Sequence, residues 1–156
     1  MSQILFEVDD PQLISVNDQY MHPVRKCKDG RYRSYTCSSP DLKSLQSFYK
    51  GVLESKVIED DIKVLKDFVD EKFGNGVLLE IVIGCPLKEI YENDASNYVK
   101  AIEDVIVKRT KIDDSRNLKV SIEKRYVEGD QWKLLVRLSP YEVKKYRGEF
   151  DEEENS

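Results

Sequence analysis

VLLEIVIGC, residues 77–85, is the stretch that decides the fold of this 156-residue chain. It is apolar almost throughout, Glu80 is its only charged residue, and Pro86 follows it. A continuous apolar run of strand length that ends at a proline predicts a central β-strand buried on both faces. The other predicted elements are arranged around this strand.

The segments on either side alternate between strand and helix patterns. Ser39 and Pro40 predict a helix start, and the helical spacing of apolar residues runs on to residue 73 as one long helix or two shorter ones. The short VEGD segment (127–130) predicts that the strands around it form a hairpin. In chain order the predicted elements are a strand at 4–8, helical segments at 39–56 and 57–73, the strand at 77–85, a helix at 96–109, and strands at 118–126 and 131–138. This order predicts an α+β fold with one mixed sheet and helices packed on it.

Composition and charge indicate a soluble, highly charged protein. The hydrophobic fraction is 40% and the charged fraction 35%; no apolar run approaches membrane length and the N-terminus lacks a secretory pattern, so a cytoplasmic protein without a membrane partner is expected. Three cysteines and one histidine are a poor zinc set. Glutamate and aspartate crowd the C-terminus, so the chain divides into a domain at 1–146 and an acidic tail at 147–156, which is predicted to be disordered.

The net charge of the chain is −5, but the segment at 22–35 is basic. This segment has a turn signal at Asp29-Gly30 and predicts a hairpin or an ordered arm. Five of its residues are basic: Arg25, Lys26, Lys28, Arg31 and Arg33. Such a patch suits DNA phosphates, and the interleaved Tyr32 and Tyr35 suit stacking on a base. The alternative is a solvated hairpin with aromatic packing.

Carboxylates bracket the helix in DASNYVKAIEDVIVKRTKIDDS, residues 94–115. On a helix, Asn97, Lys100 and Asp104 fall on the polar side. Asp94 precedes the helix, and Asp113 and Asp114 follow it. If the strand at 118 pairs beside the strand at 77, the carboxylates before and after the helix are expected to meet over one edge of the sheet.

Two interpretations of this segment remain open. In the first it is a capped, solvated helix with i,i+4 ion pairs and a polar turn. In the second it frames a divalent-metal nuclease site, in which Asp94 and Asp114 bind Mg²⁺ (or Mn²⁺) and Lys100 stabilises the transition-state phosphate. Phosphodiester hydrolysis needs this combination of hard oxygen ligands and a nearby cation.

The motif Asp94-x-x-Asn97-x-x-Lys100-x-x-x-Asp104, followed by Asp113-Asp114 before a strand, resembles the RusA family of Holliday-junction resolvases. The segment at 15–17, with Asn17, is similar to the family's start. The resemblance implies a homodimeric Mg²⁺-dependent endodeoxyribonuclease that resolves branched DNA in recombination, repair or phage DNA processing, in a bacterial or phage-infected cytoplasm. It also implies residue roles. The implied catalytic residues are Asp94, Lys100 and Asp114; the supporting residues are Ser96, Asn97, Asp104 and Asp113; the DNA-binding residues are Asn17 and the five basic residues of the segment at 22–35.

Ser96 departs from the family pattern, which often has a second aspartate at this position. Serine brings no charge, so the site holds a divalent ion less strongly. This difference keeps open a second function, that of a catalytically weak or inactive relative that binds junctions or other DNA. A third possibility is an interaction protein whose acidic tail recruits a basic partner.

Overall fold

A computed structural model describes residues 3–13, 20–21, 24–34 and 37–151. The strands are β1 (Ile4–Asp9), β2 (Tyr20–Met21), β3 (Val24–Lys26), β4 (Tyr32–Ser34), β5 (Cys37–Ser38), β6 (Asn75–Pro86), β7 (Asn117–Val127) and β8 (Lys133–Glu142). The helices are α1 (Pro40–Lys56), α2 (Glu59–Glu71) and α3 (Val99–Thr110). Short 3₁₀ turns precede α3, at Ala95–Tyr98, and β7, at Asp114–Arg116.

The main sheet has four strands in the order β1-β8-β6-β7. β6 pairs parallel to β7 and antiparallel to β8, and β8 pairs antiparallel to β1. The sheet is therefore mixed, the three α-helices pack on it, and the predicted α+β class is confirmed. The most apolar strand takes a central position because both of its backbone edges and one of its faces are then removed from water.

The predicted hairpin between β7 and β8 is wrong. Both strands pair with β6, which lies between them, so their connection crosses the end of β6. Gly84 makes the crossing possible: a Cβ at Gly84 would lie 2.7 Å from Cγ1 of Val127 and 3.4 Å from Cβ of Lys133. A short polar turn is equally compatible with a hairpin and with a connection that crosses the end of β6. Which of the two forms depends on whether β7 and β8 pair with each other or with β6.

The prediction that β6 is buried on both faces is also wrong. Val77, Leu79, Ile81 and Ile83 are buried under the helices, but the alternate residues Leu78, Glu80 and Val82 are only half-buried. On that second face Arg137 donates two hydrogen bonds to the Glu80 carboxylate, 2.5 and 2.9 Å long. These hydrogen bonds lower the pKa of Glu80. Glu80 therefore marks the face of the sheet that no described helix covers.

The predicted start of α1 is confirmed, and the question of one helix or two is settled. The Ser39 hydroxyl oxygen accepts a hydrogen bond from the backbone N–H of Leu42 at 3.1 Å, with Pro40 in the first turn. The chain leaves the helical conformation at Val57 and Ile58, and α2 begins as a separate helix at Glu59.

Arg109, near the end of α3, forms hydrogen bonds with the junction between α1 and α2. Its guanidinium donates to the carbonyl oxygens of Leu53 (3.3 Å) and Val57 (2.7 Å) and to the Glu59 carboxylate (2.6 Å). The Arg109 side chain is 17% exposed. Three helices are thus joined at one point, which fixes the position of α3 on the sheet.

Replacing Arg109 with methionine is expected to lower the free energy of unfolding by about 2 kcal/mol, because the half-buried carbonyls of Leu53 and Val57 lose a charged donor. Urea denaturation measures the change. The matched control is Lys108→Met, an exposed neighbour without an ion pair among the described residues, for which a loss below about 0.5 kcal/mol is expected. Equal losses in the two variants would show that the Arg109 contacts do not join the helices.

No helix in the described ranges is long and apolar enough to cross a membrane. After β8, residues 143–151 are exposed and form neither helix nor strand. Residues 152–156 of the predicted acidic tail lie outside the described residues.

Candidate functional site

The candidate site is carried by the unit β6, α3 and β7. β6 and β7 pair with each other, and the pairing is parallel. Asp114 opens the 3₁₀ turn that leads into β7, while Asp94 caps the 3₁₀ turn that leads into α3. No hydrogen bond or ion pair between described residues joins Asp94 to Asp114. Because the pairing is parallel, Asp94 (after the end of β6) and Asp114 (before the start of β7) lie at opposite ends of the strand pair. The expected meeting of these two carboxylates over one edge of the sheet is therefore wrong.

Lys100 links α3 to the segment that follows it. Its ammonium Nζ lies 2.9 Å from Oδ1 of Asp104 and 3.4 Å from Oδ2 of Asp114. The Asp104 contact is the i,i+4 pair that the sequence spacing predicts, whereas the Asp114 contact spans 14 residues and needs the fold. The hydrogen bond to Asp104 is the main cause of a raised pKa at Lys100, and Asp114 adds to it. Lys100 is therefore a fixed positive charge at neutral pH.

Asp94 is held by Ser96. One oxygen of the Asp94 carboxylate, Oδ1, accepts hydrogen bonds from the Ser96 hydroxyl (2.7 Å) and the Ser96 backbone N–H (3.1 Å). These two bonds lower the pKa of Asp94, and the positive charge of Lys124 adds to the effect. The other oxygen, Oδ2, accepts no hydrogen bond from any described residue. The residue that departs from the family pattern thus orients the first candidate ligand and keeps it ionised.

Asp113 stabilises the 3₁₀ turn that precedes β7. Its carboxylate accepts the backbone N–H of Ser115 at 2.9 Å and caps the 3₁₀ turn at Asp114–Arg116. Hydrogen bonds from Ser115 are the main cause of its lowered pKa, and the neighbouring Asp114 side chain contributes. Asn97 is half-buried in the 3₁₀ turn before α3, and its side chain makes no hydrogen bond with the described residues.

Lys124 is a residue of the site region that the sequence interpretation missed. Its ammonium donates to the carbonyl oxygens of Ile90 (2.7 Å) and Asn93 (2.9 Å), directly before Asp94. The loop between β6 and α3 is thereby tied to β7. A lysine in an alternating strand gives no sequence signal for this contact, because it depends on the parallel pairing of β6 and β7.

The described residues of this region offer a hard cation single carboxylates and not a cluster of ligands. Within the described ranges, no three histidine, cysteine, aspartate or glutamate side chains converge as a metal-binding group. The Asp104 and Asp114 carboxylates do converge on one cation, the Lys100 ammonium, and both are accessible to solvent. Mg²⁺ commonly takes only one or two carboxylates and completes its shell with water and substrate phosphate.

The basic segment folds as a hairpin. β3 and β4 pair antiparallel, with Arg25 opposite Arg33, and Gly30 adopts a positive φ of 82° at the turn. The Asp29 carboxylate accepts the Arg31 N–H at 2.9 Å and pairs with Arg33 at 3.2 Å. Arg25, Lys26, Lys28, Arg31 and Arg33 are all exposed. The hairpin prediction is confirmed over the described part, while Asn17 and Tyr35 lie outside the described residues.

Comparison with known proteins leaves the family open. No family model matches the chain, and no curated protein matches it. Among solved structures it is similar to 2C-methyl-D-erythritol-2,4-cyclodiphosphate synthase in its CDP-bound form, with a TM-score of 0.29 and 11% identity, over 89% of this chain and 99% of that one. A likeness at this level carries no argument about fold or function.

Proposed function

We propose that this protein is a Mg²⁺-dependent, structure-selective endodeoxyribonuclease of the RusA type that nicks Holliday junctions and other branched DNA in a bacterial or phage-infected cytoplasm. The observation that carries the proposal is the Lys100 ammonium between the Asp104 and Asp114 carboxylates. An ion pair between a helix and the segment leaving it fixes a cation beside an accessible carboxylate, and phosphoryl transfer needs both charges together.

Of the two expected ligands of Mg²⁺ or Mn²⁺, Asp114 is the proposed ligand beside Lys100. Asp94 would hold an ion at the other end of the β6–β7 pair. When bound, the metal would activate water and neutralise charge on the phosphate. The chain's own residues have separate tasks. Ser96 keeps Asp94 ionised and oriented, and Asp104 holds the Lys100 ammonium. Lys100 stays protonated, so it stabilises negative charge on the reacting phosphate and does not act as a base.

The hairpin of β3 and β4 is the proposed DNA-holding arm. Its five basic side chains are exposed, and the Arg33 guanidinium forms an ion pair with Asp29 at 3.2 Å. Phosphate contacts of this kind position a duplex without reading its sequence. Selection of a junction over a linear duplex would then come from shape.

A homodimer is part of the proposal, because two symmetric nicks across a junction need two sites related by a two-fold axis. β6 pairs on both sides within one chain, so it has no free edge for pairing with a second copy. β7 is an edge strand and keeps its outer edge free of pairing with other described strands.

Competition binding without divalent metal tests the choice of substrate. With EDTA present, a labelled four-way junction is expected to remain bound when a linear duplex of the same sequence is added in about tenfold excess, since shape selection precedes cleavage. Gel shift or fluorescence anisotropy measures the competition. Equal competition by junction and duplex would contradict structure selectivity.

The second candidate function, a weak or inactive junction-binding relative, is favoured by Ser96 alone. Ser96→Asp separates it from the first. A second carboxylate beside Asp94 is expected to raise Mg²⁺ affinity by about tenfold, because ligand charge governs the hold on a hard cation. Titrating Mg²⁺ in a cleavage assay and by calorimetry measures this. Ser96→Asn, of similar size but uncharged, is the control; no gain of Ser96→Asp over it would count against Asp94 as a ligand.

A further inference from the structure

A groove of about 1050 Å³ lies between α1, α2 and the last turn of α3. Leu53, Ile62 and Val105 contribute apolar surface to it. Its charged residues are mostly basic: Lys50, Lys63, Lys66, Lys108, Arg109 and Lys111, against Glu54 and Glu59. The groove is a concentration of positive charge on a chain whose net charge is −5.

Two of these basic residues form ion pairs within the fold. Arg109 is paired with Glu59, and Lys63 with Asp67 at 2.6 Å. The other four basic residues of the groove make no ion pair or side-chain hydrogen bond with the described residues: Lys50, Lys66, Lys108 and Lys111. Four ammonium groups without an ion-pair partner among the described residues make the groove a local positive patch that suits a polyanion.

Lys111 places one of these ammonium groups at the C-terminal end of α3. It follows the last residue of α3 in the left-handed conformation, with φ 59° and ψ 20°. Glycine is the usual residue at such a helix end because a side chain is disfavoured there. Glycine in place of Lys111 therefore removes the ammonium group and suits the conformation of the helix end.

The groove and the candidate site share one helix, α3. Lys100, Asp104 and Lys108 recur every fourth residue and so lie on one side of the helix. At a rise of about 1.5 Å per residue, Lys108 and Lys111 lie about 12 and 16 Å along the axis from Lys100. One strand of DNA carries a phosphate about every 3.4 Å along its axis. A strand whose reacting phosphate is at Lys100 and that runs along α3 would place its phosphates three to five nucleotides away at the groove.

We propose that this groove binds the phosphodiester backbone of a DNA arm, about three to five nucleotides from the cut. Lys50 and Lys66 supply the walls from α1 and α2, and Lys108 and Lys111 supply the end of α3. The inference rests on the proposed function and adds a contact surface that is separate from the β3–β4 hairpin.

The test measures DNA affinity against salt concentration, with EDTA present so that cleavage plays no part. The variant is Lys108→Gln with Lys111→Gly, because glycine suits the left-handed position and preserves the fold. Each lost phosphate contact lowers the slope of log affinity against log salt by about 0.9, so a drop of about 1.8 is expected. The matched control is Lys119→Gln with Lys145→Gln, two exposed lysines on β7 and after β8 that remove the same charge. Thermal unfolding confirms that both double variants are folded.

The outcomes separate this inference from the proposed function. A drop of about 1.8 for the groove variant, with a control slope equal to that of the wild type, supports the groove as a phosphate contact. Equal slopes for the groove variant and the control, with the wild type still binding junctions, would overturn the groove alone. No binding by the wild type at about 50 mM salt, where phosphate contacts are strongest, would overturn both.

Discussion

Asp114→Asn is expected to reduce Mg²⁺-dependent nicking of a four-way junction by about 100-fold or more. A bound metal contributes several kcal/mol of transition-state stabilisation, and about 1.4 kcal/mol corresponds to a factor of ten in rate. Asparagine keeps the size of the side chain but removes the charge that would bind the metal and pairs with Lys100. Single-turnover cleavage of a labelled junction at saturating protein measures the loss.

The control for this variant is Asp70→Asn, an exposed carboxylate on α2. It removes the same charge from the protein surface and is expected to leave the nicking rate within about twofold. Asp114→Asn itself is expected to change the free energy of unfolding by less than about 1 kcal/mol, since the pair with Lys100 is largely exposed. A nicking rate retained in Asp114→Asn would remove Asp114 from the site.

Lys100→Gln is expected to slow the chemical step by about 10² to 10³-fold, the usual effect of removing one positioned group that stabilises developing charge. Asp104 and Asp114 hold the Lys100 ammonium in place in the folded protein. Junction affinity in EDTA should fall far less than the rate, because one phosphate contact among several is lost. Rate and affinity measured separately distinguish transition-state stabilisation from DNA binding.

The matched control is Lys144→Gln, which removes another ammonium paired with an aspartate, 2.5 Å from Asp151. Its rate is expected to equal that of the wild type. The pH profile adds a further check: the pKa of Lys100 is raised, so the wild-type rate should not fall on the alkaline side before the ordinary lysine range near about 10.4. An equal loss of rate and affinity in Lys100→Gln would make Lys100 a binding residue only.

Local patterns predicted the elements of this fold well. The apolar run of β6, the Ser39 and Pro40 start of α1, and the Asp29-Gly30 turn are each specified by neighbouring residues. The pairing of β7 and β8 was not predictable in the same way, because it depends on which strands reach β6. Gly84 permits this pairing because Val127 and Lys133 pass close beside it. The sequence alone does not show which residues approach Gly84.

The contacts of the candidate site likewise divide into those that local sequence predicts and those that depend on the fold. The Lys100–Asp104 pair follows from i,i+4 spacing, and the Asp94–Ser96 cap follows from the preference of aspartate for helix starts. The Lys100–Asp114 contact and the Lys124 anchor depend on how α3 and β7 pack. Arg109 gave no signal either, since its three acceptors lie more than 49 residues away in the chain. Long-range contacts of this kind set the geometry of the site.

The central claim is tested most directly by cleavage of a synthetic four-way junction beside a linear duplex of the same sequence, with and without Mg²⁺ at about 10 mM, a concentration suited to weak oxygen-ligand sites. Denaturing gels of each labelled strand locate the nicks. Paired symmetric nicks in the junction, absent from the duplex and absent without metal, are the expected result. No nicks in the junction, or equal cutting of junction and duplex, would contradict the proposed function.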